Sequence, residues 1–466
     1  MTTIETDYLV VGAGACGMAC TDELITNCDA EVIMVDRRHR PGGHWNDGYG
    51  FLRLHQPSAY YGVNSRPLGK DRIDESGPNA GFYERASAAE VCDYYGRVLD
   101  EQMLSSGKVR FFGMSDYVGD GHGEHRFVSR LSGETTTVRV RRKLVDATYL
   151  ETTIPLNHTP TFSVDPDARL VTPNALVSLA DHRSGFTIIG AGKTAMDTCC
   201  WLIDQGVAPD RIRWIRPRDP WMVDRKVAQP LKLMGWFVEW FAVQMESAAQ
   251  ADSVEDFLRR LEASGGHVRL DPAVEPGVYR GPTVSELERA SLRSIENVVR
   301  LGRVLHVGAT EIKLEQGSIT TDTRHVQVDC SAPGIGLPPA VPIFEPGSIR
   351  MQRVMNAIDP FSAALIGFVE ATRDDDREKN RLCPSIDSFG TARDFVPAFL
   401  KSQQARVTWF ADPDVREWLA RTRLTPLHKA QEHLTDPASQ AGVGRMIANT
   451  GPAIENLQRL LGTNDG

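Results

Sequence analysis

Two short glycine turns constrain this chain more than anything else in it. The first is "YLVVGAGACGMAC", in which an apolar strand from Asp7 to Val11 runs into Gly12-Ala13-Gly14-Ala15-Cys16-Gly17 and a helix-compatible stretch follows to Ile25. The second is "TIIGAGKTAMD", with the same strand, turn and helix pattern and Ala195 in the third small-residue position. In such a turn one small residue makes the bend, the next lets a pyrophosphate approach the backbone, and the third lets the helix pack on the strand. The helix start then offers unpaired N–H groups and partial positive charge to the phosphates. Each turn therefore predicts a doubly wound α/β unit, and two of them predict two dinucleotides.

The residues beyond each turn sharpen the reading. After the first, the strand "EVIMVDRR" ends in Asp36, about 20 residues on, where a carboxylate accepts from a ribose hydroxyl. The expected contacts are Gly12, Gly14, Ala15, Cys16 and Gly17, with Asp36 and Arg37 at the ribose end. After the second, the strand "RIRWIRPRDP" ends near Ile215 and offers Arg216 and Arg218 in place of an acid. A guanidinium grips a 2′-phosphate that a carboxylate would repel, so this turn is expected to take NADPH through Gly190, Gly192, Lys193, Thr194, Ala195, Arg216 and Arg218. "GKT" at Gly192 to Thr194 is not an ATP-binding P-loop, because Thr187 stands where that motif needs glycine.

Next to Asp36 lies "RPGGHWNDGYGFLRLHQPSAYYGVNSRPL", with Gly42 and Gly43 allowing close backbone approach and Trp45 supplying a flat apolar face. This segment resembles the Gly-Gly-x-Trp element of FAD-containing monooxygenases, the class B flavoprotein monooxygenases, where it lies along the flavin. The resemblance covers roughly the first two-thirds of the chain and a later return segment. It implies FAD at the first turn, with Gly43, His44, Trp45, His55 and Gln56 added to its contacts; Gln56 falls where several members carry an asparagine near the flavin. It also implies two nested Rossmann-like units closed by strands ending "VDAT" at Val145 to Thr148 and "VDCSAPGIG" at Val328 to Gly336. Tyr149 replaces the usual glycine in the first copy, and Pro333 is read as replacing threonine in the second.

The expected organisation is an FAD unit in 1–157 and 331–390 and an NADPH unit in 158–220 and 301–330. A helical insertion spans 221–300 and a helical tail 391–466. Between the turns, "KVRFFGMSDYV", "HRFVSRLS" and "TTVRVRRKLVDATYL" read as a β meander. "ALIGFVEATRDDDREKNRLCPS" reads as the final strand and flavin-facing segment of the FAD unit. The aromatic run "LKLMGWFVEWFAVQM" suits a lid, a packed subdomain or dimer contact, or a membrane-surface helix. The tail, with Asp412-Pro413 and Asp436-Pro437 as helix starts, is expected to pack across the FAD unit or across a partner subunit in a homodimer.

Function follows from the cofactors. FAD and NADPH together imply hydride transfer from nicotinamide to flavin. The eight cysteines include no Cys-x-x-Cys pair, which leaves no disulfide-reductase relay and no zinc spacing, and fits a reduced, cytoplasmic protein. The family resemblance implies that reduced flavin takes up molecular oxygen as a C4a-hydroperoxide and inserts one atom into a small organic substrate. The family's Phe-x-Gly-x-x-x-His fingerprint is absent, however; Phe162 is present, but Thr172 and Pro173 stand near the histidine position. An NADPH-dependent flavin reductase, dehydrogenase or oxidase, or a non-catalytic flavin-binding sensor, therefore stays open. No general acid or base stands out among the twelve histidines. A formal net charge of −9 argues against nucleic acid as partner. Glu5 and Asp7 before the apolar Leu9–Cys20 run argue against a signal peptide, and no run reaches the ~20 apolar residues of a membrane span, so the chain is expected to be soluble.

Overall fold

The computed structural model describes residues 2–119, 123–179, 185–355 and 359–462. Its first sheet is organised by the strand Thr2–Val11, whose C-terminal half is apolar and buried on both faces. Such strands suit the centre of a parallel sheet. Thr2–Val11 pairs in parallel with Val32–Val35 on one side and with Thr135–Asp146 on the other. Val109–Phe112 extends the sheet beyond Val32–Val35, and Ser348–Arg350 joins Thr135–Asp146 from far along the chain. The strands Ser115–Tyr117, His125–Ser129 and Thr135–Asp146 form the expected antiparallel meander, the last of them serving both arrangements.

A second parallel sheet repeats the plan. Phe186–Ile189, buried at every position, lies between Ile212–Ile215 and Val326–Asp329, with Val298–Val299 and Leu170–Val171 at the edges. A small sheet of Ser163–Val164, Val304–Val307, Glu311–Leu314 and Gly317–Thr320 accompanies it. Each central strand runs into its glycine turn and then a helix, Ala15–Asn27 in the first unit and Lys193–Asp204 in the second.

Two expectations are corrected. The run beginning at Ala364 is not a strand but lies in the helix Asp359–Thr372, which packs on Ala15–Asn27 so closely that a Cβ on Gly367 would stand 2.7 Å from the Cys20 carbonyl oxygen. A helix buried all round has no polar stripe, so its hydropathy imitates a buried strand. The last strand of the first sheet is the three-residue Ser348–Arg350. The insertion is also not purely helical. Met234–Gln250, Val254–Ala263 and Glu286–Arg293 are joined by a three-stranded sheet of Pro220–Asp224, His267–Val268 and Val278–Val284.

The tail is helical, and Asp412 and Asp436 cap Pro413–Arg421 and Pro437–Leu461 by accepting from Val415 N and Ser439 N. Met234–Gln250 packs along Pro437–Leu461 and toward Ala392–Ala411. Phe237, Phe241, Phe395 and Phe399 are buried there, each contributing about 1.5–3 kcal/mol. The aromatic helix thus spends its apolar face on a packed helical layer. Among the described residues no helix is long and apolar enough to cross a membrane.

The two turns make a sharp contrast at their third small residue. A Cβ on Gly17 would lie 1.9 Å from the Gly12 carbonyl oxygen, whereas the second turn accommodates Ala195 in full burial. Gly17→Ala is expected to lower the unfolding free energy by about 3 kcal/mol or more, and Ala195→Gly by about 1 kcal/mol. Urea denaturation of the two variants checks this, and equal losses would contradict it.

Candidate cofactor and active site

At the first turn Gly12 adopts φ +100°, a conformation that L side chains rarely take, and its carbonyl seats Gly17. The backbones of Gly14 and Gly43 touch; a Cβ on Gly43 would lie 2.9 Å from the Gly14 Cα, and Gly42 N donates to Ala13 O at 2.9 Å. The Gly-Gly segment therefore lies directly over the turn. Ala15–Asn27 begins at Gly14 with no side-chain cap, so its first-turn N–H groups are left for another acceptor. Ala15 and Cys16 are half-buried there. Burial, with Asp359 nearby, pushes the Cys16 thiol up to about 12, so it is a neutral packing group.

Asp36 is buried at the exit of Val32–Val35. One carboxylate oxygen accepts from Ala13 N and the other from Arg38 N, each at 2.7 Å, which fixes the carboxylate against the turn with lone pairs to spare. Arg37 is exposed and faces Glu151 at 3.4 Å. Trp45 is turned into the core, where its indole N–H donates to Tyr61 Oη at 2.8 Å, and His44 stacks on it with ring centroids 5.2 Å apart. The more accessible ring at the turn is therefore His44. Burial, then the Arg38 charge, lowers its pKa to about 4, so at neutral pH it offers one donor and one acceptor. A wall absent from the sequence reading completes this side: Arg353 donates through Nε to Asp359 Oδ1 at 2.6 Å at the start of Asp359–Thr372.

The second turn is built alike. Gly190 has φ +130°, and a Cβ there would lie 2.5 Å from the Cys330 carbonyl oxygen. Nothing stands within 4 Å of a Cβ on Gly192, which leaves the open approach a pyrophosphate needs. Lys193–Asp204 also begins without a side-chain cap, with Thr194 half-buried in its first turn. The crossing points share one device. Asp146 Oδ1 accepts from Thr148 N at 2.9 Å and Oγ1 at 2.6 Å, and Asp329 Oδ1 accepts from Ser331 N at 2.9 Å and Oγ at 2.5 Å. Ser331, not Pro333, is thus the counterpart of Thr148.

The structure joins the two turns largely through residues that the sequence did not single out, Tyr49, Asp197 and Glu288 among them. Lys193 pairs with Asp197 one helical turn on, and Asp197 Oδ2 accepts from Tyr49 Oη at 2.9 Å. Phe51 stacks on Trp201 at 4.7 Å. His55 and Gln56 are half-buried beside this seam, and burial, then the Lys193 charge, lowers the His55 pKa to about 4. Deeper in, Glu288 holds both Arg225 and Arg85, the latter at 3.3 Å. Burial alone would raise the Glu288 carboxyl, but Lys193, Arg225 and Arg85 outweigh it and hold the group at about 2. The only sequence signal for Glu288 is its place in the capping box Ser285-x-x-Glu288, which it also completes. Arg216 is buried, 3.3 Å from Asp219 and 4.8 Å over the Trp214 ring, while Arg218 is exposed. Arg216 also lines a cleft of about 410 Å³ with Asp271, Arg293 and Arg300.

With this geometry in view, the comparisons fall into place. The model of the NAD(P)-binding Rossmann-like domain family matches residues 10–51, from the end of the first strand through the turn and helix to Asp36 and the Gly-Gly-x-Trp segment. The uncharacterized protein Rv2000 of Mycobacterium tuberculosis (strain ATCC 25618 / H37Rv) is 43% identical over 426 residues, covering 91% of this chain and 78% of the relative. The chain belongs to the family of that mycobacterial protein. The uncharacterized protein Mb2023 of Mycobacterium bovis matches to the same extent. Among solved structures, the ε-caprolactone-bound cyclohexanone monooxygenase in its Loose conformation superposes with a TM-score of 0.51 and 13% identity, over 89% of this chain and 99% of that one. The chain thus has the fold of that monooxygenase, as the Gly-Gly-x-Trp resemblance implied.

Glu288 gives the seam a sharp test. Glu288→Gln leaves Arg225, fully buried, without its counter-charge, and is expected to cost about 3–5 kcal/mol of stability at neutral pH. Because the carboxyl pKa is depressed from 4.5 to about 2, its contribution is present above about pH 4.5 and lost toward about pH 2. The gap between wild type and variant, read by urea denaturation, should therefore narrow across that window; a gap independent of pH would contradict the assignment.

Proposed function

We propose that this protein holds FAD on the first turn and NADPH on the second, and that it is a monooxygenase acting on a small organic substrate. The observation that carries the reading is the pair of uncapped helix starts, at Gly14 and Gly192, brought to one seam by Tyr49, Asp197, His55 and Lys193. Bound FAD would pass two electrons from NADPH to molecular oxygen, chemistry that puts one oxygen atom into substrate and the other into water.

The residues fit the groups. Gly12, Gly14 and Gly17 form a cradle that a Cβ would fill, and the amides of Ala15 and Cys16 complete it for a pyrophosphate. Asp36 retains lone pairs for a ribose hydroxyl, with Arg37 at the exposed end. Neutral His44, with Gly43 beneath and Arg353–Asp359 beyond, orients the ring end, and Trp45 supports His44 from behind. His55 faces the seam, and Gln56 beside it has an amide able to donate. On the second turn Gly190, Gly192, Thr194 and Ala195 would cradle the NADPH phosphates, with Lys193 as the cation in the helix's first turn. Arg216, tied to Asp219 and Trp214, shapes the strand exit; Arg218 is the guanidinium available to the 2′-phosphate. Burial raises the Cys16, Cys200 and Cys383 thiols, which suits packing groups better than an electron relay.

One observation favours a second reading. Thr172 caps the short helix Pro173–Leu176 where the monooxygenase fingerprint would place its histidine, which suits an NADPH oxidase that releases peroxide without oxygenating a substrate. Flavin reduction by NADPH under anaerobic conditions, followed by admission of oxygen and peroxide assay, separates them. The monooxygenase reading expects NADPH to bleach the flavin and peroxide to fall well below the NADPH consumed once substrate is present. Stoichiometric peroxide under all conditions supports the oxidase, and no bleaching sinks both. Arg218→Ala is expected to raise the KM for NADPH about tenfold and leave that for NADH unchanged; steady-state kinetics with both nucleotides checks it, and parallel changes would remove Arg218 from the 2′-phosphate.

A further inference from the structure

The tail helix Ala392–Ala411 carries a half-buried cation that the protein's own charges do not balance. The Arg406 guanidinium lies 4.8 Å over the Phe241 ring, and its Nη2 reaches only the thioether of Met355, at 3.0 Å. Its Nε is buried without a hydrogen-bond partner, and no carboxylate pairs with it among the described residues. Elsewhere the enclosed arginines find oxygen partners: Arg225 pairs with Glu288, Arg353 with Asp359, Arg373 with Asp412 and Asp414, and Arg423 donates to the Ala59, Tyr61 and Val63 carbonyls. A thioether is a weak acceptor and an aromatic face a partial substitute for a counter-ion. Burial alone, with no neighbouring charge of either sign, pulls the Arg406 pKa to about 10, so the group stays cationic at neutral pH.

The surroundings say what would neutralise it. The cation is single, planar and set among apolar groups, and its fork matches one carboxylate bidentately. A doubly charged phosphate would bring a second negative charge that nothing here offsets. Met355 lies two residues beyond Arg353, whose partner Asp359 bears on Cys16 and His44, so Arg406 stands where the helical layer meets the first turn's wall. On Met234–Gln250, Phe237 stacks on Phe241 at 5.8 Å, and Gln244 one turn further has a buried amide nitrogen that is likewise unpartnered.

We propose that Arg406 is the substrate's anchor, and that the substrate is an organic monocarboxylate whose apolar body lies along Phe241. Calling this ligand the substrate rests on the monooxygenase reading; the anchor itself does not. The test uses the full chain supplemented with FAD, and benzoate, phenylacetate and hydrocinnamate against their neutral amides, read by calorimetry and thermal melting. At least one acid should bind about tenfold or more tightly than its amide and raise the melting temperature. Arg406→Met should abolish that preference, Arg406→Lys should keep part of it, and unliganded Arg406→Met should melt no lower than wild type. The proposal is overturned if no acid binds, if acids and amides bind equally, if Arg406→Met keeps the preference, or if the unliganded variant melts far lower, which would mark a structural role. Since binding is read without turnover, failure of NADPH to reduce the flavin would sink the monooxygenase reading and leave the anchor standing.

Discussion

At each glycine turn a central strand must end, reverse its backbone sense in one residue and let the exit of a neighbouring strand pass within contact distance. Gly12 and Gly190 meet that demand with positive φ, and the crossing segments at Ala147–Thr148 and Cys330–Ser331 fill the space a side chain would need. The aspartates that end Thr135–Asp146 and Val326–Asp329 then fold back on Thr148 and Ser331. The chain thus leaves each parallel sheet through a fixed corner, next to the place where the helix exposes its N-terminal amides. Both sheets, and the path between them, depend on this crowding.

The second constraint is electrostatic. The segment that follows Asp36 runs between the two units, carrying Tyr49, His55 and Arg85 to meet Asp197, Lys193 and Glu288. Charges in such a seam are costly unless each is paired and hydrogen-bonded. The arrangement meets that requirement in two tiers, Tyr49–Asp197–Lys193 above and Arg85–Glu288–Arg225 below. Because removal of one member strands its partner, the seam is specific to one docking of the units. The position of the second turn relative to the first is therefore set by matched charges as well as by the Phe51–Trp201 stack.

Which parts were legible in the chain follows from the range of the forces involved. The turns, Asp36, the meander and the Asp-Pro helix starts are local devices, written in residues that lie within one strand, turn and helix. The Asp359–Thr372 helix was misread because full burial removes the polar stripe that distinguishes helix from strand. The three-stranded sheet in the insertion was missed because His267–Val268 is two residues long and its partners lie far off in sequence. Ser331 was hidden by alignment to the wrong neighbour, and only the shared hydrogen bonds to Asp146 and Asp329 reveal the equivalence. Tyr49 and Asp197 stand 148 residues apart, a separation at which sequence carries no signal of contact.

The same reasoning explains why an unpaired, half-buried cation is informative. In this protein enclosed guanidinium groups are compensated by carboxylates brought from other elements, as Glu288, Asp359 and Asp412 show, or by backbone carbonyls, as at Arg423. Such compensation takes out of solvent two charges that would each be costly alone, so it persists only where both partners are held in place. Arg406 departs from that pattern at the junction of the helical layer and the first nucleotide turn, with a ring and a thioether where a carboxylate would stand. Packing does not need a charge at that position, since a methionine of similar length would satisfy Phe241 and Met355 without the desolvation cost. A cation kept there against that cost is accounted for by a negative charge that arrives from outside the chain.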